Sequence, residues 1–330
     1  MWKRILLGLT CALTIGIGGF ATYLVLKKPA AAPPRDIRVA MTPEQIERGR
    51  YLFHNVFECI GCHTPRDATR FGAPVKADAI GEGMVLPTQM GLPGRVVASN
   101  ITPDKETGIG AWTDGEILRA IREGVDREGN ALFPFMPYQA YRNMSNEDAE
   151  AIVAYLRTLP ARRNPLPETE LAFPVSLLVK SAPQPLTGPV PSPKRETTAA
   201  YGEYLVRVGD CAGCHTMKDK GEPLPDMDLA GGFLLSFPEG SVYSANITPD
   251  VETGIGSWSE DTFVSRFRQY QDLARNGPPP MTRENFTIMP WLPYSELEDV
   301  ELRAIYKYLR TVKPVRHKVQ LRPETTVSSR

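Results

Sequence analysis

Histidine is scarce in this chain, with four residues in 330, and cysteine is little commoner at five. Charge of either sign is not in surplus: 38 basic residues face 38 acidic ones. Each shortage excludes something. A balanced charge gives no bulk attraction to nucleic acid or to an anionic surface, so no nucleic-acid partner is expected. With so few cysteines and histidines, a zinc site lacks the second ligand pair it needs close by. Apolar and charged fractions are ordinary for a soluble globular chain. The length favours two domains. Proline, in contrast, is plentiful at 31 residues, which foretells loops and linkers.

Four of the five cysteines fall into one pattern that occurs twice. Cys59-Ile60-Gly61-Cys62-His63 is echoed by Cys211-Ala212-Gly213-Cys214-His215. Cys-x-x-Cys-His is the attachment signature of c-type haem. Two thiols three positions apart fit one turn and can add across the two vinyl groups of one porphyrin. The following histidine is then held beneath the iron as proximal ligand. Chance, a thioredoxin-like redox pair and half a zinc site are the competing readings. Recurrence removes chance, and a redox pair does not require the trailing histidine in both copies. Two covalent haem c groups are therefore expected, on Cys59, Cys62 and His63 and on Cys211, Cys214 and His215.

The fifth cysteine, Cys11, lies in an uncharged, mostly apolar run from Ile5 to Leu26. It reads as a small hydrophobe. Gly8, Leu9 and Thr10 before it do not make the pattern of a lipidated cysteine. Twenty-two helical residues reach about 33 Å, enough to span a bilayer core. A cleavable leader has a shorter apolar core, and two lysines separate this run from Ala30-Ala31-Ala32, so a retained membrane anchor over residues 5–26 is preferred. Lysine or arginine flanks the run on both sides and does not orient it. Covalent haem c is attached outside the cytoplasmic membrane, which places the rest of the chain on its periplasmic face.

The expected order is an anchor or signal over 1–28, a tether over 29–41, a first domain over 42–160, a proline-rich linker over 161–197, a second domain over 198–320 and a tail over 321–330. Thr42-Pro43-Glu44-Gln45 reads as a capped helix start leading toward Cys59. Thr113-Asp114-Gly115-Glu116 opens a second helix and Ser145-Asn146-Glu147-Asp148 a third, which Pro160 stops. Nine prolines between Pro160 and Pro193 mark the boundary.

The second domain repeats the first. Gly202-Glu203-Tyr204-Leu205 answers Gly49-Arg50-Tyr51-Leu52. Asn246-Ile247-Thr248-Pro249-Asp250 answers Asn100-Ile101-Thr102-Pro103-Asp104, and Trp258 answers Trp112. Met289-Pro290 answers Met136-Pro137, and Tyr308-Leu309-Arg310-Thr311 answers Tyr155-Leu156-Arg157-Thr158. Ser295, with Glu298, is expected to cap the last helix as Ser145 caps its counterpart. The offset is 152 at the haem cysteines, 146 at the Asn-Ile-Thr block and 153 at the Met-Pro and Tyr-Leu positions. Two copies of one domain with altered loops explain this pattern.

Each iron needs a sixth ligand. His54 precedes Cys59 too closely to cross the ring, and His317 belongs to one copy only. Met136 and Met289 stand at matching positions, each followed by a proline that fixes the backbone, and a thioether suits iron. Ordinary core packing is the competing fate of a methionine, and Met144, Met84 and Met281 are rival ligands. Asn100, Trp112, Asn246 and Trp258 are candidates for closing the haem pockets through propionate bonds, against plain turn chemistry and packing.

These motifs resemble the cytochrome c subunits of membrane-bound bacterial dehydrogenases that oxidise alcohols, gluconate, aldehydes or N-heterocycles. The likeness covers about residues 42–160 and 198–314. It implies an all-α fold of two tandem class I cytochrome c domains behind an N-terminal transmembrane helix, with His/Met haems. It also implies electron transfer from a dehydrogenase catalytic subunit toward a cytochrome, quinone or terminal oxidase. Many of those subunits carry three haem motifs; this chain carries two. A six-coordinate iron suits electron transfer without an acid or base. The rival enzyme reading, a di-haem peroxidase or haem-dependent thiol oxidase, needs one open or displaceable iron position. A subunit with vestigial haems would not keep both motifs intact.

Overall fold

The computed structural model describes residues 25–219 and 221–323, with Trp2, Leu6, Gly16, Gly18, Gly19, Thr22 and Tyr23. Most of the expected anchor, including Cys11, and the tail from residue 324 lie outside these residues. Among the described residues no helix is long and apolar enough to cross a membrane.

The first unit begins with α1 (Pro43–Tyr51), whose Thr42 hydroxyl accepts from the Gln45 N–H as its cap. A π-helical turn, Leu52–Val56, carries the chain into α2 (Cys59–His63). After a long loop come α3 (Asp114–Glu123), the short α4 (Tyr138–Tyr141) and α5 (Asn146–Thr158). A full reciprocal capping box at Thr113 and Glu116 starts α3. The Ser145 hydroxyl accepts from the Asp148 N–H and starts α5. The linker holds α6 (Val175–Leu178). The second unit repeats the order with α7 (Ala199–Val208), α8 (Cys211–His215), α9 (Glu260–Arg268), α10 (Gln271–Asn276), α11 (Trp291–Tyr294) and α12 (Asp299–Leu309).

Helices do not account for everything, so the all-α expectation is corrected to mostly helical. Among the described residues there are four antiparallel two-stranded ribbons. The first pairs β1 (Met84–Val85) with β3 (Val97–Ala98), and the second pairs β2 (Gly94–Arg95) with β4 (Glu170–Leu171). In the second unit β5 (Lys218–Asp219) pairs with β6 (Glu222–Pro223), and β7 (Leu234–Phe237) with β8 (Gly240–Tyr243). They form because the loops between haem helix and Asn-Ile-Thr block must pair their backbone groups, three of the ribbons within the loop itself and one with the linker. Strand β4 comes from the linker, so that segment is tied to the first unit.

A second correction concerns the last helix. Glu298, not Ser295, is its cap, in a capping box with Glu301. Ser295 instead ends α11 and its hydroxyl donates to the Leu292 carbonyl. Glu298 is the residue 153 positions after Ser145, so the repeat register holds although the residue type changed.

In each unit the first and last helices cross at a glycine. A Cβ on Gly49 would lie 1.8 Å from the Ala151 carbonyl oxygen, and one on Gly202 would lie 1.9 Å from that of Ala304. Only a residue without Cβ permits that approach. One hydrophobic core then runs through both units: Leu52, Phe53, Ile152 and Leu156 of the first share it with Tyr201, Leu205, Leu302 and Leu309 of the second. Burying so much apolar area makes the tandem one body rather than two beads on a string.

Candidate haem sites

Both Cys-x-x-Cys-His helices start from an acidic residue in the left-handed region, Glu58 at φ 48° and Asp210 at φ 50°. That conformation is uncommon outside glycine, and its presence in both copies shows that the chain must turn sharply into the helix. Burial raises the pKa of both carboxyls, opposed by Arg66 at Glu58 and by Lys218 at Asp210. Sequence reasoning missed this pair. The signal was an acid directly before the motif in each copy.

The four thiols are free of disulfides. Burial is the main cause that pushes Cys59 and Cys211 up to about 12 and Cys62 and Cys214 up to about 11. A redox-active pair needs the opposite, a depressed pKa. Among the described residues no group of three or more His, Cys, Asp or Glu gathers to hold a bare metal ion.

Each histidine is aimed by a backbone carbonyl. The His63 Nδ1 bonds the Ser99 carbonyl oxygen at 2.8 Å, and the His215 Nδ1 bonds that of Ala245 at 2.7 Å. A ring nitrogen facing a carbonyl must carry the proton, which leaves Nε2 as the lone-pair donor toward a metal. Burial lowers both pKa values, which favours the neutral ligand form.

Ser99 and Ala245 directly precede the repeated Asn-Ile-Thr block, and that explains the block. Asn100 Oδ1 accepts from the Thr102 N–H and hydroxyl, while its Nδ2 donates to Thr107 Oγ1 and the Arg162 carbonyl. Asn246 makes the same set with Thr248, Thr253 and the Val315 carbonyl. These bonds lie within the protein and fix the loop that carries the histidine's acceptor. Trp112 and Trp258 are half-buried against the core. Their carbonyls accept from Arg157 and the Tyr306 hydroxyl.

Two glycines close the frame. The Gly83 N–H donates to the His63 carbonyl, and the Gly231 N–H to that of His215. Both have positive φ, and a Cβ on Gly231 would lie 2.4 Å from the Ala245 carbonyl carbon.

Met136 and Met289 are half-buried against the shared core, each at the entrance of a four-residue helix. In the first unit that helix is tied to the haem segment: the Tyr141 hydroxyl donates to the Phe57 carbonyl at 3.0 Å. Burial raises the Tyr141 and Tyr294 pKa well above the ordinary value, and the nearby Cys59 and Cys211 sulfurs add to it. In the first unit the Met-Pro turn is thereby tied to the segment that leads into the attachment helix. Of the rival methionines, Met144 is fully buried in the core, Met84 lies in β1 beside a smaller cluster, and the Met281 N–H donates to Thr69 of the first unit. His54 bonds the Tyr155 hydroxyl at 2.8 Å.

The paired thiols, the carbonyl-aimed histidines and the matching turns all fit a covalently held haem in each unit. The sequence profile of the cytochrome c family matches residues 46–160 and again 199–313. The chain belongs to the cytochrome c family. As a cytochrome c it has relatives of two sizes. It is 27% identical over 298 residues to the cytochrome c subunit of alcohol dehydrogenase (quinone) from Gluconacetobacter polyoxogenes, covering 84% of this chain and 58% of that protein. It is 28% identical over 279 residues to the gluconate 2-dehydrogenase cytochrome c subunit of Pantoea cypripedii, covering 81% and 59%. Against a diheme cytochrome c-type protein of Cereibacter sphaeroides the figures are 30% over 327 residues, 94% and 99%. This cytochrome thus spans little more than half the length of the dehydrogenase subunits it matches. Its kinship with cytochrome subunits of dehydrogenase complexes points to an electron-transfer role.

The segments that lead into the two attachment helices meet: a Cβ on Gly209, two residues before Cys211, would lie 3.8 Å from the carbonyl oxygen of Val56, three residues before Cys59. Cys214 of the second domain contributes to raising Cys62, and Glu58 of the first contributes to raising Cys214.

Proposed function

We propose that this di-haem cytochrome c relays electrons on the periplasmic face of the bacterial cytoplasmic membrane. The donor is a dehydrogenase catalytic subunit. The acceptor is a cytochrome, a quinone or a terminal oxidase. What supports the reading is the kinship with dehydrogenase cytochrome subunits, together with the contact between the segments that lead into the two attachment helices beside one shared core. Haem iron supplies reversible one-electron chemistry when bound. The chain's own residues do the rest. Cys59, Cys62, Cys211 and Cys214 hold the porphyrins, and His63 and His215 are kept neutral and aimed by Ser99 and Ala245. Met136 and Met289 serve as the distal ligands, set by Pro137 and Pro290. Residues 5–26 anchor the chain, by their length and lack of charge.

The test is reconstitution of the haem-loaded chain with the dehydrogenase that co-purifies with it. Substrate should reduce both haems, and an acceptor should reoxidise them. Haems that stay oxidised while the dehydrogenase turns over would overturn the donor assignment. For the ligands, Met289→Ala should abolish the sulfur-to-iron absorption band of one haem and lower its potential, and Met136→Ala those of the other. An unchanged oxidised spectrum in either variant would refute that ligand.

A further inference from the structure

The proline-rich linker contains one apolar stretch, Phe173–Val179, with Ser176 as its only polar side chain. It is not hidden. Phe173 is 80% exposed and Leu178 is 62% exposed. Two large apolar side chains left in solvent within six residues mark a surface that something covers. The stretch is held in place rather than loose. The Ala172 N–H donates to the Pro93 carbonyl, and Leu171 pairs with Gly94 in the β2–β4 ribbon.

What lies beside it decides the occupant. Lys180, the residue directly after the stretch, donates from Nζ to the Val25 carbonyl. Val25 is the last residue but one of the uncharged apolar run, which Leu26 ends and Lys27 and Lys28 follow. Lys28 Nζ in turn bonds Asn130 Oδ1 of the first domain. The stretch is thereby fastened to the point where the chain leaves that run. Near it, the one acidic side chain of strand β4, Glu170, is paired with Arg95 at 2.9 Å. An apolar stretch rimmed by lysines matches a lipid surface, with acyl chains for the side chains and anionic headgroups for the ammonium groups.

We infer that Phe173–Leu178 is a second membrane contact: it dips into the lipid interface beside the anchor and holds the two cytochrome c domains at a fixed orientation to the bilayer. The inference rests on the proposal that residues 5–26 are the anchor.

The experiment uses the full haem-loaded chain with Cys11→Ser, reconstituted into vesicles of phosphatidylethanolamine and phosphatidylglycerol. Reporter cysteines are introduced singly as Phe173→Cys, Leu178→Cys and Val251→Cys, and reacted with a charged, membrane-impermeant maleimide. Val251 is 67% exposed on the second domain, so in the absence of lipid contact position 173 should react at least as fast. Burial in the interface should slow positions 173 and 178 by about tenfold or more relative to position 251. Flotation of the vesicles reports the anchor separately. A chain that floats with the vesicles yet labels equally at all three positions overturns the lipid contact alone. A chain that does not float overturns the anchor and the contact together. Protection seen in native membranes but not in pure lipid vesicles overturns the contact by assigning the stretch to a protein partner.

Discussion

The Tyr204 hydroxyl donates to Asp148 Oδ2 at 2.6 Å, across the boundary between the two cytochrome c domains. The same hydroxyl accepts from the Ser145 N–H, the cap of α5. The reverse contact exists 153 residues away in register. Tyr51 donates to Glu301 and accepts from the Glu298 N–H, the cap of α12. Each domain therefore finishes the start of the other's last helix. This is the isologous logic of a twofold dimer written within one chain. At its centre Arg48 pairs with Asp148 at 2.9 Å and with the fully buried Glu301 at 3.8 Å. Burial works to lower the Arg48 pKa, but the two carboxylates outweigh it and it ends above its ordinary value. Burial, helped by Glu301, pushes Tyr201 up to about 12.

Tyr204→Phe and Tyr51→Phe should have matching effects. Each removes a hydrogen bond to a carboxylate and leaves a buried acceptor short of a partner, a loss of about 1.5–3 kcal/mol. Denaturant unfolding of the two variants measures it. A loss under about 0.5 kcal/mol in both would reduce the contact to the level of an ordinary surface change.

Gly231→Ala should destabilise the second domain far more than Gly221→Ala. Both glycines have positive φ, which alone costs an alanine about 1–2 kcal/mol. Nothing lies within 4 Å of a Cβ on Gly221, whereas on Gly231 it meets the Ala245 and Ser244 backbone. Parallel thermal melts should separate the two; equal melting temperatures would contradict the close approach.

Asn246→Ala strips the loop that presents the Ala245 carbonyl to His215 and leaves the buried Thr248 N–H without an acceptor, while the Thr248 hydroxyl keeps only the Val315 carbonyl. Stability should fall by about 2–3 kcal/mol. The potential of the second haem should move as well, because its histidine loses a fixed acceptor. Redox titration of that haem checks this: a stability loss at constant potential would confine Asn246 to loop structure.

His54 makes acid stability pH-dependent. Burial, with Arg50 adding, depresses its pKa from 6.5 to about 4. The unfolded chain therefore binds a proton that the folded chain refuses between those values. Stability is complete above pH 6.5 and is lost as pH falls toward 4. With partial exposure discounted, the loss is about 2 kcal/mol. His54→Gln should flatten the unfolding free energy over that window; an unchanged slope would reassign the effect.

The haem signature, the repeat and the capped helix starts were legible because each depends on residues near one another in the sequence. Spacing within one turn fixes two thiols and a histidine together, and Ser145 or Thr113 caps a helix from three residues away. Other features were hidden for the opposite reason. Nothing local in Ser99 or Ala245 marks a carbonyl that aims a histidine 30 or more residues earlier. Ser295 looked like a cap because its neighbours had the right letters, while the register of the repeat pointed to Glu298.

From the chain alone came the two attachment motifs, the duplication, the run of residues 5–26 and the Met-Pro turns, all set by short-range covalent and helical geometry. Tertiary structure alone decided that the two domains share one core and cap each other's last helices. It also decided that the segments leading into the two attachment helices meet, and that Lys180, just after an apolar stretch of the linker, bonds the Val25 carbonyl. Those outcomes depend on which surfaces exclude water together, and contacts across 150 or more residues are set by packing of the whole chain rather than by any segment of it.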